Sequence, residues 1–217
     1  MAGSRWTDVL CIGSPSPASR TGYMRNPYGD KIMIVFIRHG ATLGNLEKKY
    51  IGITDEPLCP QGKKYLQDHA SLFPSVNQVF VSPMRRCRET AAILYPKLEQ
   101  IIVPDFRECN FGLFEGKTYE MLKEEPEYIH WLETGGESPF PVGESRTQFT
   151  KRCTEAFLQL IPQFQKDIAI VAHGGTLMAL LSSFGKGNFY DWQTKNGNGF
   201  QAEFDGEHFL NIRPLRE

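Results

Sequence analysis

The chain has no surplus of charge of either sign. Its 217 residues carry 24 Lys and Arg against 25 Asp and Glu, a formal net charge of −1 with neutral histidines. A polybasic nucleic-acid binder needs a clear cationic excess, so that class is excluded. Cysteine is scarce and badly spaced for a metal. Cys11, Cys59, Cys87, Cys109 and Cys153 are odd in number and include no C-x-x-C pair. That pattern argues against a zinc ribbon and for free thiols in a reducing, cytoplasmic setting. Long hydrophobic runs are missing as well. The longest uncharged stretch, Ile168 to Gly185, holds His173-Gly174-Gly175 in its middle and Ser182-Ser183 near its end. It reads as strand, turn and helix, not as a membrane span. The amino end has Arg5 but only a short apolar run, Val9 to Gly13, too little for a secretory signal.

What is present is ordinary globular composition, 41% hydrophobic and 23% charged, which excludes disorder as the main state. At about 150 residues per domain, the length implies one domain with an embellishment. Residues 1–30, rich in Ser, Pro, Gly and Arg, read as a disordered leader or a non-native extension ahead of a start at Met24 or Met33. The single domain then runs over 31–217.

Ile32 to Ile37 is a continuous apolar run of strand length, and Gln78–Val81 and Ile168–Ala172 are similar. Such runs predict strands buried on both faces. Ile101-Ile102-Val103 is a shorter one, stopped by Pro104. Between them, Met84, Cys87, Ala91 and Leu94 recur at helical spacing, as do Phe149, Cys153, Ala156, Phe157, Leu160, Ile161 and Phe164. Ser145 and Gln148 have capping-box spacing at the start of the second helix, and Pro162 should bend or end it. Phe200 to Phe204, then Asp205-Gly206, then His208 to Ile212 read as a hairpin with one wet face. The expected fold is α/β in three layers: a central, mainly parallel sheet, helices on both faces, and an antiparallel edge near the C-terminus.

Three apolar strands end in unusual polar residues. The first runs into Arg38-His39-Gly40-Ala41-Thr42, with Asn45 close behind; the second into Ser82-Pro83-Met84-Arg85-Arg86; the third into His173-Gly174-Gly175. Ligands of open α/β sheets bind outside the carboxyl ends of strands, so neighbouring strands would bring two His and two Arg into one crevice. Arginine matches phosphate oxygens with a planar fork and stays charged. Ser82 suits a helix N-cap and Pro83 the first helical position, which would place Arg86 in a first turn beside anion-favouring N–H groups. Gly174 and Gly175 permit close backbone approach at another helix start. A neutral imidazole can attack phosphorus, splitting one displacement into two, and the leaving alkoxide needs a general acid. Asp105, Glu108 and Glu115 are all candidates by spacing.

Taken together, R-H-G-x-T-x-x-N from Arg38 to Asn45, S-P-x-x-R-x-x-x-T-A from Ser82 to Ala91, R-E-x-x-F-G-x-x-E-G from Arg107 to Gly116, and H-G-G at His173 resemble the histidine phosphatase superfamily in its phosphoglycerate-mutase-like branch. The likeness covers about Lys31 to Asp205. It implies His39 as nucleophile and Glu108 as acid and then base. It implies a phosphate pocket of Arg38, Arg86 and His173, assisted by Asn45 and Gly174, with no metal and no cofactor. Two departures are Ala41, where an acidic or amide residue is commoner, and Cys59, at a helix-cap position usually Ser or Thr. Compact length, Phe111 to Lys117 and Pro141 to Ser145 resemble the phosphatases of the branch, especially those acting on α-ribazole 5′-phosphate in cobalamin biosynthesis. A cofactor-dependent phosphoglycerate mutase and an inactive phosphate-binding regulator are the alternatives. The implied partner is a small-molecule phosphate ester, with no membrane; a homodimer is one option for the oligomeric state.

The segment Glu115 to Glu144 reads as a helical lid. Its eight Glu against two Lys suggest a solvated acidic face with aromatics packed inward. A sharper reading makes Trp131 a platform for a flat substrate.

Overall fold

The computed structural model describes residues 31–216, so the expected leader at 1–30 lies outside the described residues. Six strands form one sheet: β1 (Ile32–Arg38), β2 (Gln78–Val81), β3 (Gln100–Ile102), β4 (Ile168–Ala172), β5 (Gly199–Phe204) and β6 (Phe209–Pro214). Their order is β3-β2-β4-β1-β5-β6. The first four run parallel, and β5 and β6 add an antiparallel edge. This is the expected topology. The helices are α1 (Leu43–Leu46), α2 (Pro60–His69), α3 (Arg85–Leu94), α4 (Tyr119–Leu122), α5 (Pro126–Glu133), α6 (Arg146–Leu160) and α7 (Gly174–Phe184).

Because side chains alternate across a strand, the central strands feed two cores. Ile34 and Phe36 of β1, Phe80 of β2 and Ile168 and Ile170 of β4 pack beneath α6 and α7. Val35 and Ile37, Val79 and Val81, and Ala169 and Val171 pack against Leu66 of α2 and Cys87, Ala91 and Leu94 of α3. The first core is aromatic: Phe157 meets Phe164, Phe204 and Phe209 at 5.8, 5.4 and 5.3 Å between ring centroids. Such pairs each add about 0.5–1.5 kcal/mol beyond area burial.

The local signals behave as read. Ser145 and Gln148 close a capping box on α6, and the helix stops at Leu160, where Ile161–Gln163, with Pro162, forms a tight turn. Cys59 does cap α2, its Sγ accepting from the Gly62 N–H at 3.3 Å. The expected cap at Ser82 does not form. Met84 takes the N-cap position of α3 without a side-chain bond, and the carboxylate of Asp55 accepts from the Arg85 N–H at 2.6 Å. Ser82 Oγ instead lies 2.7 Å from His173 Nε2 and accepts a long local bond from the Met84 N–H at 3.4 Å. No helix among the described residues is long and apolar enough to cross a membrane. Cys59, Cys87, Cys109 and Cys153 are buried free thiols.

Candidate active site

The parallel strands β2, β4 and β1 are adjacent, so their carboxyl ends deliver Ser82, His173 and Arg38-His39 to one place. His39 is 3% exposed and His173 and Arg86 are fully buried. The two imidazoles meet edge to face at 5.2 Å between centroids.

His39 Nδ1 lies 2.7 Å from the Gly40 carbonyl oxygen. A carbonyl only accepts, so Nδ1 carries the proton and Nε2 keeps its lone pair. Burial lowers the His39 pKa well below the ordinary value, and the cations Arg86 and Arg38 lower it further against the Gly40 bond. The ring is therefore neutral and of fixed tautomer, with a free lone pair on Nε2. The Asn196 side-chain amide donates to the His39 carbonyl at 3.2 Å and to Asn45 Oδ1 at 3.1 Å. With its oxygen also accepting from Thr42 N–H at 3.2 Å, Asn45 has its amide NH2 left for an anion. Arg38 donates to the Thr194 carbonyl at 2.7 Å, while its Nε is buried without a partner.

His173 sits beside His39, and its polar atoms are engaged. Arg86 Nε donates to its Nδ1 at 3.3 Å, and its Nε2 lies 2.7 Å from Ser82 Oγ. Since arginine cannot accept, the proton is on Nε2 and is given to Ser82. A bond from His173 to a phosphate oxygen would exchange one of these two partners. Burial, then the Arg86 charge, hold the His173 pKa well below the ordinary value.

Of the three acid candidates, Glu108 is the buried one. Asp105 is exposed and pairs with Arg107 at 2.8 Å. Glu115 accepts three bonds from the turn at 52–54, at 2.8 to 3.0 Å. Glu108 is 8% exposed and lies at the amino end of α7, where it accepts from Gly175 N–H at 3.2 Å and from Cys109 N–H at 2.9 Å. A Cβ at position 175 would stand 2.3 Å from Glu108 Oε1, so only glycine admits the carboxyl there. Burial raises the Glu108 pKa, opposed by these two N–H donors and by Arg86 and Arg38. Its backbone is held in turn by Arg152, which pairs with Glu144 at 2.8 Å and donates to the carbonyls of Asp105, Arg107 and Glu108 at 2.7, 3.2 and 3.4 Å.

Arg38, Glu108, Gly174 and Gly175 line the inner end of a cavity of about 660 Å³. Its outer wall is aromatic: Tyr50, Phe111, Trp131, Phe140, Phe149, Phe189 and Tyr190, with Arg146 at the side. Trp131 and Phe140 come from the segment 115–144, whose Glu120, Glu124, Glu125, Glu127, Glu133 and Glu137 are exposed. The acidic face is therefore solvated; of the segment's aromatics, Tyr128 and Phe140 are buried and Trp131 lines the cavity, while Tyr119 is 53% exposed.

Thr194, Asn196, Ser82, Glu144 and Arg152 support this site, and the sequence motifs alone do not single out these roles. Each acts across a long stretch of chain: Asn196 is 157 residues from His39.

Fold and site together define a class of α/β protein that presents a neutral histidine, two arginines and a buried carboxyl at the ends of a parallel sheet. The chain belongs to the histidine phosphatase superfamily (branch 1), whose family model matches residues 34–210. The expectation of a phosphoric monoester hydrolase is borne out at that level. A Hydrogenobacter thermophilus protein provisionally named phosphoserine phosphatase 2 is 30% identical over 183 residues, 80% of this chain and 90% of its own. An Escherichia fergusonii protein provisionally named phosphoglycerate mutase GpmB is 27% identical over 160 residues, covering 70% and 74%. Among solved structures, the α-ribazole phosphatase of Shigella flexneri superposes with a TM-score of 0.76 at 24% identity, covering 86% of this chain and 96% of that one. A phosphoglycerate mutase of Thermus thermophilus gives 0.64 at 26%, covering 83% and 98%.

Proposed function

We propose that the protein is a metal-independent phosphomonoesterase that works through a phosphohistidine on His39, with a small-molecule ester as substrate. The observation that carries this reading is the His39 Nδ1 bond to Gly40, which leaves Nε2 unprotonated on a buried ring that the Arg86 and Arg38 charges keep neutral. In the first step Nε2 bonds to phosphorus and the ester P–O bond breaks; Glu108 gives its proton to the departing alkoxide. In the second, the Glu108 carboxylate takes a proton from water, the water oxygen bonds to phosphorus and the P–N bond breaks, restoring His39. Arg38 and Arg86 offset the phosphoryl charge, Asn45 and the Gly174 backbone assist, and His173 fixes Arg86.

We take α-ribazole 5′-phosphate as the ester, in a cytoplasmic cobalamin pathway, with segment 115–144 as the lid over it. The aromatic outer wall supports a flat leaving group more than a glycerate. Phosphoglycerate mutation is the second reading, favoured by the GpmB relative.

The test measures phosphate release from α-ribazole 5′-phosphate and from 3-phosphoglycerate in excess chelator, with His39→Ala as control. Fast release from the ribazole ester alone, lost in the variant, is expected. Conversion of 3-phosphoglycerate to its 2-isomer with a bisphosphate primer, outpacing all hydrolysis, would favour the mutase. Weak release from both, still dependent on His39, would keep the chemistry and discard the substrate.

A further inference from the structure

Arg86 is a fully buried cation with no carboxylate in salt-bridge range among the described residues. Its charge is met by neutral acceptors. Nη1 donates to the Thr54 carbonyl at 2.7 Å, Nη2 to those of Gly52 at 2.9 Å and Ile51 at 3.5 Å, and Nε to His173. A guanidinium has five N–H donors. Four are taken here, which leaves one, on Nη1, for a ligand. Three of the four acceptors lie within the four residues 51–54.

That stretch belongs to no helix or strand, and Ile53 and Thr54 are exposed. Segments of this kind open readily unless something ties them down. Besides Arg86 itself, one carboxylate oxygen ties the turn from its outer side. Glu115 Oε1 accepts from Gly52 N–H at 2.9 Å, from Thr54 N–H at 3.0 Å and from the Thr54 hydroxyl at 2.8 Å. Glu115 is itself anchored by the next residue, since Gly116 N–H donates to the Tyr50 carbonyl at 2.8 Å. The fit is tight: a Cβ on Gly52 would stand 2.1 Å from the Cys109 carbonyl oxygen and 3.0 Å from Glu115 Oε2. Glu115 Oε2 is buried with no partner, an arrangement that costs desolvation and that surface packing alone does not call for.

We propose that Glu115 is a positioning residue: its carboxylate latches the 51–54 turn, and the carbonyls of that turn set the place of the Arg86 guanidinium at the phosphate site. The inference rests on the reading of Arg86 as a phosphate group's neighbour. It assigns the carboxylate at 115 a part in anion binding without any contact with the anion.

The test uses the full chain with Glu115→Ala, Glu115→Gln and Thr54→Val, in chelator. Inorganic phosphate affinity is read by calorimetry, kcat and KM with p-nitrophenyl phosphate, and thermal midpoints alongside. Glu115→Ala should bind phosphate about tenfold more weakly, the loss of roughly one charge-assisted bond, and raise KM more than it lowers kcat. Glu115→Gln keeps a carbonyl oxygen in place and should stay within about threefold of the parent. Phosphate affinity of the Ala variant within twofold of the parent would overturn the proposal. So would a Gln variant as weak as the Ala variant, because the acceptor would then not be what matters. If Glu115→Ala does not fold, Thr54→Val carries the test by removing one exposed bond of the three: a two- to threefold weakening is expected, and unchanged affinity overturns the latch. A parent protein that binds phosphate yet hydrolyses no ester refutes the hydrolase reading while calorimetry still judges the latch. A parent that binds no phosphate refutes both.

Discussion

The two ends of the cavity are built on different terms. The inner end is polar and closely hydrogen-bonded, and its Arg38, Gly174 and Gly175 hang from the ends of the adjacent strands β1 and β4, whose residues are almost wholly buried. The outer end is aromatic and drawn from scattered pieces: Tyr50 and Phe111 from loops, Phe149 from α6, Trp131 and Phe140 from the segment 115–144, and Phe189 and Tyr190, none of them on a strand. Rigid strand ends suit a group whose position must be kept within fractions of an ångström. Segments outside the sheet suit selectivity, since they vary without disturbing the core. The contrast assigns chemistry to the inner end and choice of substrate to the outer one.

Substitutions at the two ends should then fail in different ways. The largest effect is expected at the nucleophile: His39→Ala should lower phosphate release by about 10⁴-fold or more for every ester, as loss of a covalent catalyst does. Next is Glu108→Gln, expected to cost about 10²- to 10³-fold. The loss should be greatest for poor alkyl leaving groups and smaller for p-nitrophenyl phosphate, whose leaving group needs little protonation. The parent's rate should form a bell against pH. Its acid limb reports protonation of His39, below the ordinary imidazole value because burial and two arginines oppose the charge. Its alkaline limb reports loss of the Glu108 proton, above the ordinary carboxyl value because burial dominates. Glu108→Gln should abolish the alkaline limb and keep the acid one. A profile flat from about pH 5 to about pH 8 in the parent would break that pairing.

The smallest effect is expected at the outer end. Trp131→Ala should weaken turnover of an aromatic phosphate ester about three- to tenfold, the worth of one aromatic contact, and leave glycerol phosphate nearly untouched. Equal losses for both esters would erase the division between the two ends.

The inner end was also the more legible in sequence. His39, Arg86, Glu108 and His173 stand in contiguous motifs at the ends of apolar runs, and buried parallel strands betray themselves as such runs. The fold was legible for the same reason: β1 and β4 are apolar on both faces, and β5 alternates because its intermediate residues, Gln201 and Glu203, face outward. What could not be read is what depends on long-range pairing. Ser82 follows local cap chemistry in the sequence, yet a histidine 91 residues away takes its hydroxyl. Asp55 supplies the missing cap on α3 from 30 residues upstream. Asn196 and Thr194 hold His39 and Arg38 from a stretch with no motif at all. Spacing placed Asp105, Glu108 and Glu115 on equal terms, and only burial and hydrogen bonding separate an exposed ion pair, a buried carboxyl and a latched turn.

The central claim is that a phosphoryl group passes through His39 Nε2. It is tested most directly by quenching the enzyme in alkali within its first turnovers on a ³²P-labelled ester, then locating the label by peptide mass spectrometry. The account predicts label on the peptide containing His39, stable in alkali, lost in acid, and absent from His39→Ala. Turnover at the full rate with no label on any histidine, or a His39→Ala variant that still hydrolyses the ester, would contradict it.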